Sequence, residues 1–234
     1  MIKHFLPLLP ILTCAATLQA AELTPLETRW LSAGAAVLTH AKQELQLPID
    51  ITVQPQARPQ DVPLALGYQD GRCKLVLSLR GNVHAEDVLA GVAAAQQPWM
   101  IEAMVAHEIG HCWRYAQGAW HLLPAGFEQA AAAPELTAQE ALQETQQATL
   151  RETRREEAYA DLVALAWTAQ HHPQRYTAVL AWLQHVRQPQ ASGGGSHSTA
   201  VWLQLASSAT VFASSQPWLQ QVEQLWQQGL RLEH

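Results

Sequence analysis

The chain has 234 residues, of which 48% are hydrophobic, 15% charged and 7% aromatic, with 14 Lys and Arg against 20 Asp and Glu. That length can bury a core as one large domain or two small ones, and the apolar content is too high for a disordered chain. The net charge of −6 excludes the basic face a nucleic-acid binder needs and gives no attraction to anionic lipid.

Residues 1–21 read MIKHFLPLLPILTCAATLQAA. A cationic start with Lys3 precedes an apolar run from Phe5 to Leu18, and small residues follow at Ala20 and Ala21. This is the layout of a secretory signal peptide, expected over residues 1–20 with cleavage after Ala20. The run is too short to span a bilayer, and Pro7 and Pro10 interrupt it. An uncleaved anchor and lipidation at Cys14 are the rival readings; Thr13 before Cys14 speaks against the second. The mature part, residues 21–234, is expected to be a single periplasmic or secreted domain without a transmembrane segment. Of three cysteines, Cys73 and Cys112 then remain in an oxidising compartment. A Cys73–Cys112 disulfide is the expectation, and two buried thiols the alternative.

Thr24-Pro25 is an N-cap followed by proline at the first helical position, which predicts a helix over 26–47 ended by Pro48. Residues 49–53 alternate as a short strand. Pro55, Pro59 and Pro63 mark a loop. Residues 64–68 and 73–79 are β-like runs around Gln69-Asp70-Gly71-Arg72, and Asp-Gly there signals a hairpin. Helices are predicted over 85–95 and 99–117, then a loop or broken helix over 118–134. Thr137 with Glu140 fits a capping box opening a long helix to about His171. Further helices are predicted over 173–188, 199–213 and 217–232, with a Gly/Ser-rich loop over 191–196. The fold class is α+β and predominantly helical, with a small antiparallel sheet before the helix that carries the chemistry.

That helix contains His107-Glu108-Ile109-Gly110-His111, an H-E-x-x-H sequence. Positions i and i+4 share a face, so both imidazoles can reach one Zn²⁺ at roughly 2.0–2.1 Å. Glu108 is offset by one position and can face a water beside the ion as general base. Met100, Ile101, Met104, Val105 and Ile109 make the flanks apolar, where an unpaired charge would be costly. Cys112 is rotated about 100° from the metal face and is not a ligand.

A catalytic zinc needs a third protein ligand. The metzincin continuation fails, because Arg114 and Gln117 occupy its Gly and His positions. His121 and Glu128 lie in a loop without supporting pattern, and His171 and His172 sit at a helix end. The best candidate is Glu157, with Asp161 one turn on; Glu156 is a weaker one. Glu157 can bind the metal while Asp161 accepts the N–H of a ligand histidine. Glu152 and Glu156 suit surface ion pairing with the neighbouring arginines.

HEIGH followed by the helical EAYAD resembles the gluzincin metallopeptidases, closest to the branch containing HtpX and the CAAX prenyl protease. The resemblance implies a zincin-like fold and Zn²⁺ held by His107, His111 and Glu157, with Glu108 as base and Asp161 as orienting residue. Ser196-His197-Ser198-Thr199 is similar to a downstream Ser-His-Pro-Ser-Thr stretch of that branch, lacking the proline. It implies a role for His197 at the oxyanion. By analogy with zincins, residues 74–79 are a candidate edge strand for binding an extended substrate.

The leading expectation is an exported zinc endopeptidase acting on protein or peptide. A non-catalytic zincin-like binding module and a zinc amidase acting on cell-wall peptides are the alternatives. The intact Glu108 favours an enzyme, since a structural metal site needs no base.

Overall fold

The computed structural model describes residues 22–59, 61–127, 137–188 and 198–233. The expected signal peptide, His197 and Glu128 lie outside them.

Helix α1 (Pro25–Ala33) opens on a capping box: the Glu27 backbone N–H donates to Thr24 Oγ1, and the Thr24 N–H donates to Glu27 Oε2 at 2.7 Å. The predicted helix over 26–47 breaks at Gly34, and α2 (Ala35–Gln43) follows. A Cβ at Gly34 would lie 2.5 Å from Val105, so the break lets the chain turn against the helix beneath it.

Strands β1 (Ile49–Val53), β2 (Leu64–Gln69) and β3 (Arg72–Leu77) form one sheet in the order β1-β3-β2. The hairpin closes at Asp70-Gly71, both with positive φ, which puts Gln69 opposite Arg72. Two expectations are corrected here. The sheet is mixed, because β1 runs parallel to β3 while β2 runs antiparallel to it. The strand that begins at Arg72 is the central one, bonded on both sides, so residues 74–79 offer no free edge. The proline-bearing connection after β1 carries the chain past the place of β3, and the hairpin then inserts β3 between the first two strands. The edge strands are β1 and β2.

The predicted helix over 85–95 is a series of turns with a short 3₁₀ segment at Asp87–Leu89. Helix α3 (Gln97–Ala116) runs through the centre, buried at Ile101, Ala103, Val105, Ala106 and Ile109. Helix α4 (Ala138–His171) is 34 residues long, and its Thr137/Glu140 capping box forms as expected. Its first half is polar and largely exposed; from Ala158 to Thr168 every residue is buried. That half packs against α3, where Gly110 permits close contact: a Cβ there would sit 2.9 Å from Ala160 Cα.

Pro173–Arg175 forms a 3₁₀ turn before α5 (Tyr176–Val186). The predicted helix over 199–213 is shorter, with α6 at Ala200–Leu205 and a 3₁₀ turn at Ala209–Phe212. Helix α7 (Trp218–Leu232) buries Val222, Leu225, Trp226, Gly229 and Leu230 at helical spacing. Trp202 and Trp226 are buried in the core, and the Trp202 indole N–H donates to the Trp226 carbonyl at 2.9 Å. No helix among the described residues is long and apolar enough to cross a membrane.

Cys73 of β3 and Cys112 of α3 are joined in a buried disulfide, Cα to Cα 5.7 Å. It ties the central strand to the residue next to His111.

Candidate metal centre

Helix α3 presents His107 and His111 on one face, and the first buried turns of α4 bring Glu157 to it. Nε2 of His107 and Nε2 of His111 are 3.1 Å apart. Glu157 Oε2 is 3.6 Å from the first, and Oε1 is 3.5 Å from the second. One donor atom from each lies within 4.8 Å of the others, and among the described residues this is the one such group of three.

The proton positions follow from the partners. Nδ1 of His107 lies 2.9 Å from Asp161 Oδ1, so the N–H is on Nδ1 and the lone pair of Nε2 faces inward. That lone pair meets the second imidazole nitrogen and a carboxylate at short range, an arrangement that calls for a shared cation or proton. Three donors bound tetrahedrally to zinc at about 2.0–2.1 Å stand roughly 3.3 Å apart, close to the three separations found. The charges agree. Three carboxyl groups, Glu108, Glu157 and Asp161, stand against the one guanidinium of Arg187, so acids outnumber the fixed cation where a metal ion would sit. His107, His111 and Glu157 therefore fit a metal ion, and the N,N,O donor set suits zinc.

Asp161 is fully buried. Burial pushes its carboxyl upward, but the Arg187 guanidinium and the His107 N–H outweigh that and hold it down at about 2. Thr199 Oγ1 donates to Asp161 Oδ2 at 2.7 Å. Burial also pushes Glu108 upward and there prevails, holding it above the ordinary glutamate range against the two histidines, with Glu157 adding to the rise. His111 is also raised: burial opposes its charged form, and Glu157 and Glu108 more than compensate.

Glu108, His107, His111 and Glu157 line one cleft of about 440 Å³. Pro63, Leu64, Ala65 and Leu66 at the β2 side form one wall; Trp182, Leu183 and Val186 of α5 form the other. Tyr115 and Trp120 close an end, their rings stacked 4.0 Å apart, with Trp120 also edge-on to His111 at 5.4 Å.

Glu156, read from sequence as a surface ion-pairing residue, is buried at 2% exposure. It takes Arg114 Nε and Nη2 at 3.0 and 2.9 Å and accepts the His121 backbone N–H at 2.8 Å. His121 sits at φ 60°, a strained conformation for a non-glycine residue. The guanidinium of Arg114 lies over the Trp226 ring at 4.4 Å. Glu156 and Glu157 thus point about 100° apart on α4, one toward packing with Arg114 and one toward the two histidines.

Two other ligand candidates go elsewhere. His172 Nε2 is 3.1 Å from Glu102, and His171 stacks on Trp167 at 3.6 Å. Tyr159 is buried edge-on against Trp226 and is a packing residue. Sequence reasoning missed Arg187 and Trp120, which lie outside any motif.

Compared with protein-family models, curated proteins and solved structures, the chain matches none of them.

Proposed function

We propose that the protein is an exported zinc-dependent metallopeptidase of gluzincin type, hydrolysing peptide bonds with Glu108 as general base. The observation that carries this is the meeting of His107, His111 and Glu157 at the floor of a cleft that Glu108 also lines. A group serving only to hold the fold together would have no use for a second carboxylate lining the same cleft. The Cys73–Cys112 disulfide supports export to an oxidising compartment.

Zinc, when bound, supplies Lewis-acid polarisation of the scissile carbonyl and acidifies water. The chain's own residues do the rest. Glu108, raised by burial, is a stronger base than an exposed glutamate; it takes the proton of the attacking water and hands it to the leaving amine. Asp161 holds the His107 ring in one tautomer and one orientation. The wall at β2 is an edge strand, bonded to β3 on one side only, so an extended peptide can pair with it and bring a carbonyl over Glu108. Apart from Glu108, Glu157 and Arg187 the cleft walls are uncharged, which favours apolar side chains beside the scissile bond.

Glu108→Gln tests this reading. Zinc content should stay at one ion per chain while hydrolysis of an unbiased peptide mixture falls by about 10²–10⁴-fold. Hydrolysis by the variant at the wild-type rate would remove Glu108 as the base, and a wild-type protein inert toward every peptide and cell-wall fragment with zinc bound would leave a binding module.

A further inference from the structure

The helices around the metal group give the cleft two distinct ends. Helix α5 runs in the same direction as α3. At its start Arg175 pairs with Glu102 and lies over the Trp99 ring, near the beginning of α3. At its end Arg187 reaches His107 and Asp161. Trp182 and Leu183 therefore stand on the N-terminal side of His107. The Trp182 indole N–H donates to the Val88 carbonyl at 3.0 Å, and Val88 precedes α3 in the chain. On the floor of the cleft Met104 comes before the two histidines and Tyr115 after them, about 16 Å further along the helix axis. An extended peptide advances about 3.3 Å per residue, so roughly five residues span that distance with the metal group in the middle. The two ends thus meet side chains on opposite sides of the bond held over Glu108.

The ends differ in chemistry. Val88, Met104 and Leu183 offer aliphatic and thioether groups to the first, and Trp182 spends its one N–H on Val88. That end suits a bulky aliphatic side chain and gives a polar one no partner. The other end is aromatic. Tyr115 stacks on Tyr68 at 4.9 Å and on Trp120 at 4.0 Å, and Trp120 stacks on His121 at 4.9 Å. Rings stacked in a row spend their faces on one another and leave their edges for a ligand. A ring edge carries partial positive charge and attracts the negative face of another ring. That end suits an aromatic side chain.

We propose that the cleft selects peptides carrying an aromatic side chain on one side of the scissile bond and a bulky aliphatic one on the other, with Trp120 and Trp182 as the specificity-determining residues. This rests on the reading of the site as a peptidase.

The experiment digests a peptide library of equal composition at every position with zinc-loaded mature protein, and sequences the products on both sides of the cut. The wild type should enrich Phe, Tyr and Trp on one side and Leu, Ile and Met on the other, each about 10-fold over polar residues. Trp120→Ala should lose the aromatic enrichment alone, and Trp182→Ala should alter the aliphatic side alone. Tyr115→Leu and Val88→Phe probe the same two ends and decide the matter where a tryptophan variant does not fold by circular dichroism; Val88→Phe should shift its side toward Gly and Ala. The profile is a ratio among products, so a general loss of rate does not mimic these outcomes. Cleavage with a flat profile, a preference for charged residues, or variants at both ends changing the same side overturns the proposal and leaves the peptidase reading standing. A zinc-loaded wild type that cuts no peptide removes that reading and this one with it.

Discussion

Nδ1 of His107 and Oδ1 of Asp161 are 2.9 Å apart across the interface of α3 and α4. The acid is fully buried, and its second oxygen is occupied by Arg187 Nε and Thr199 Oγ1. Asp161→Asn keeps the shape but removes the charge that fixes the His107 tautomer. Zinc affinity should fall about 10- to 100-fold, measured by competition with a chromophoric chelator. Unchanged affinity would mean that the pair has no bearing on the metal.

Gly110 sets how near the two ligand-bearing helices come. A Cβ there would meet Ala160 Cα at 2.9 Å and Val163 Cβ at 3.1 Å, and the first of these is backbone. Gly110→Ala should therefore destabilise the protein by about 1–3 kcal/mol, read from urea unfolding. Zinc affinity should fall with it, because the two imidazoles and Glu157 would be pushed apart.

The Cys73–Cys112 bridge closes a loop of 39 residues between β3 and α3. Thiol counting on denatured, non-reduced protein should find both cysteines oxidised. Replacing both with alanine should cost about 4 kcal/mol in unfolding free energy on the loop-entropy account.

Glu27 is buried and accepts Arg80 Nη2 at 2.7 Å and Nε at 3.1 Å. The Arg80 hydrogen bond holds its carboxyl below the ordinary range. A depressed folded-state value means that the stabilisation is complete above the unfolded-state pKa of roughly 4.5 and drains away as pH falls toward the folded value. Thermal unfolding followed from pH 7 to pH 3 should show this loss in the wild type. Glu27→Gln should flatten that part of the curve, at a cost of about 2 kcal/mol at neutral pH.

The helices of the metal group were readable because their signals are local. H-E-x-x-H needs only the i, i+4 face of one helix, the Thr137/Glu140 box marks the start of α4, and Glu157 and Asp161, four apart, share one of its faces. What stayed hidden depends on distant chain segments. Arg187 lies 26 residues beyond Asp161 in a stretch without motif, and nothing in its neighbours shows that α5 turns its end toward α4. Adjacent Glu156 and Glu157 look alike in sequence; Trp226, far along the chain, decides that Glu156 faces inward with Arg114. The sheet order failed for a similar reason. Alternation in residues 49–53 reports a strand, but whether a neighbour lies parallel or antiparallel depends on where the proline-bearing loop carries the chain.

The hydrogen bond from the His121 amide to Glu156 reaches further than packing. Glu156 is the residue next to Glu157, so the backbone that presents the metal ligand also tethers the loop holding Trp120 across the cleft. A peptide that displaced that indole on arrival would pull on its tether, and the strain would be felt one residue from Glu157. Under the proposed function, substrate fit at the aromatic end and ligand alignment at the centre would be mechanically linked through two adjacent residues of α4.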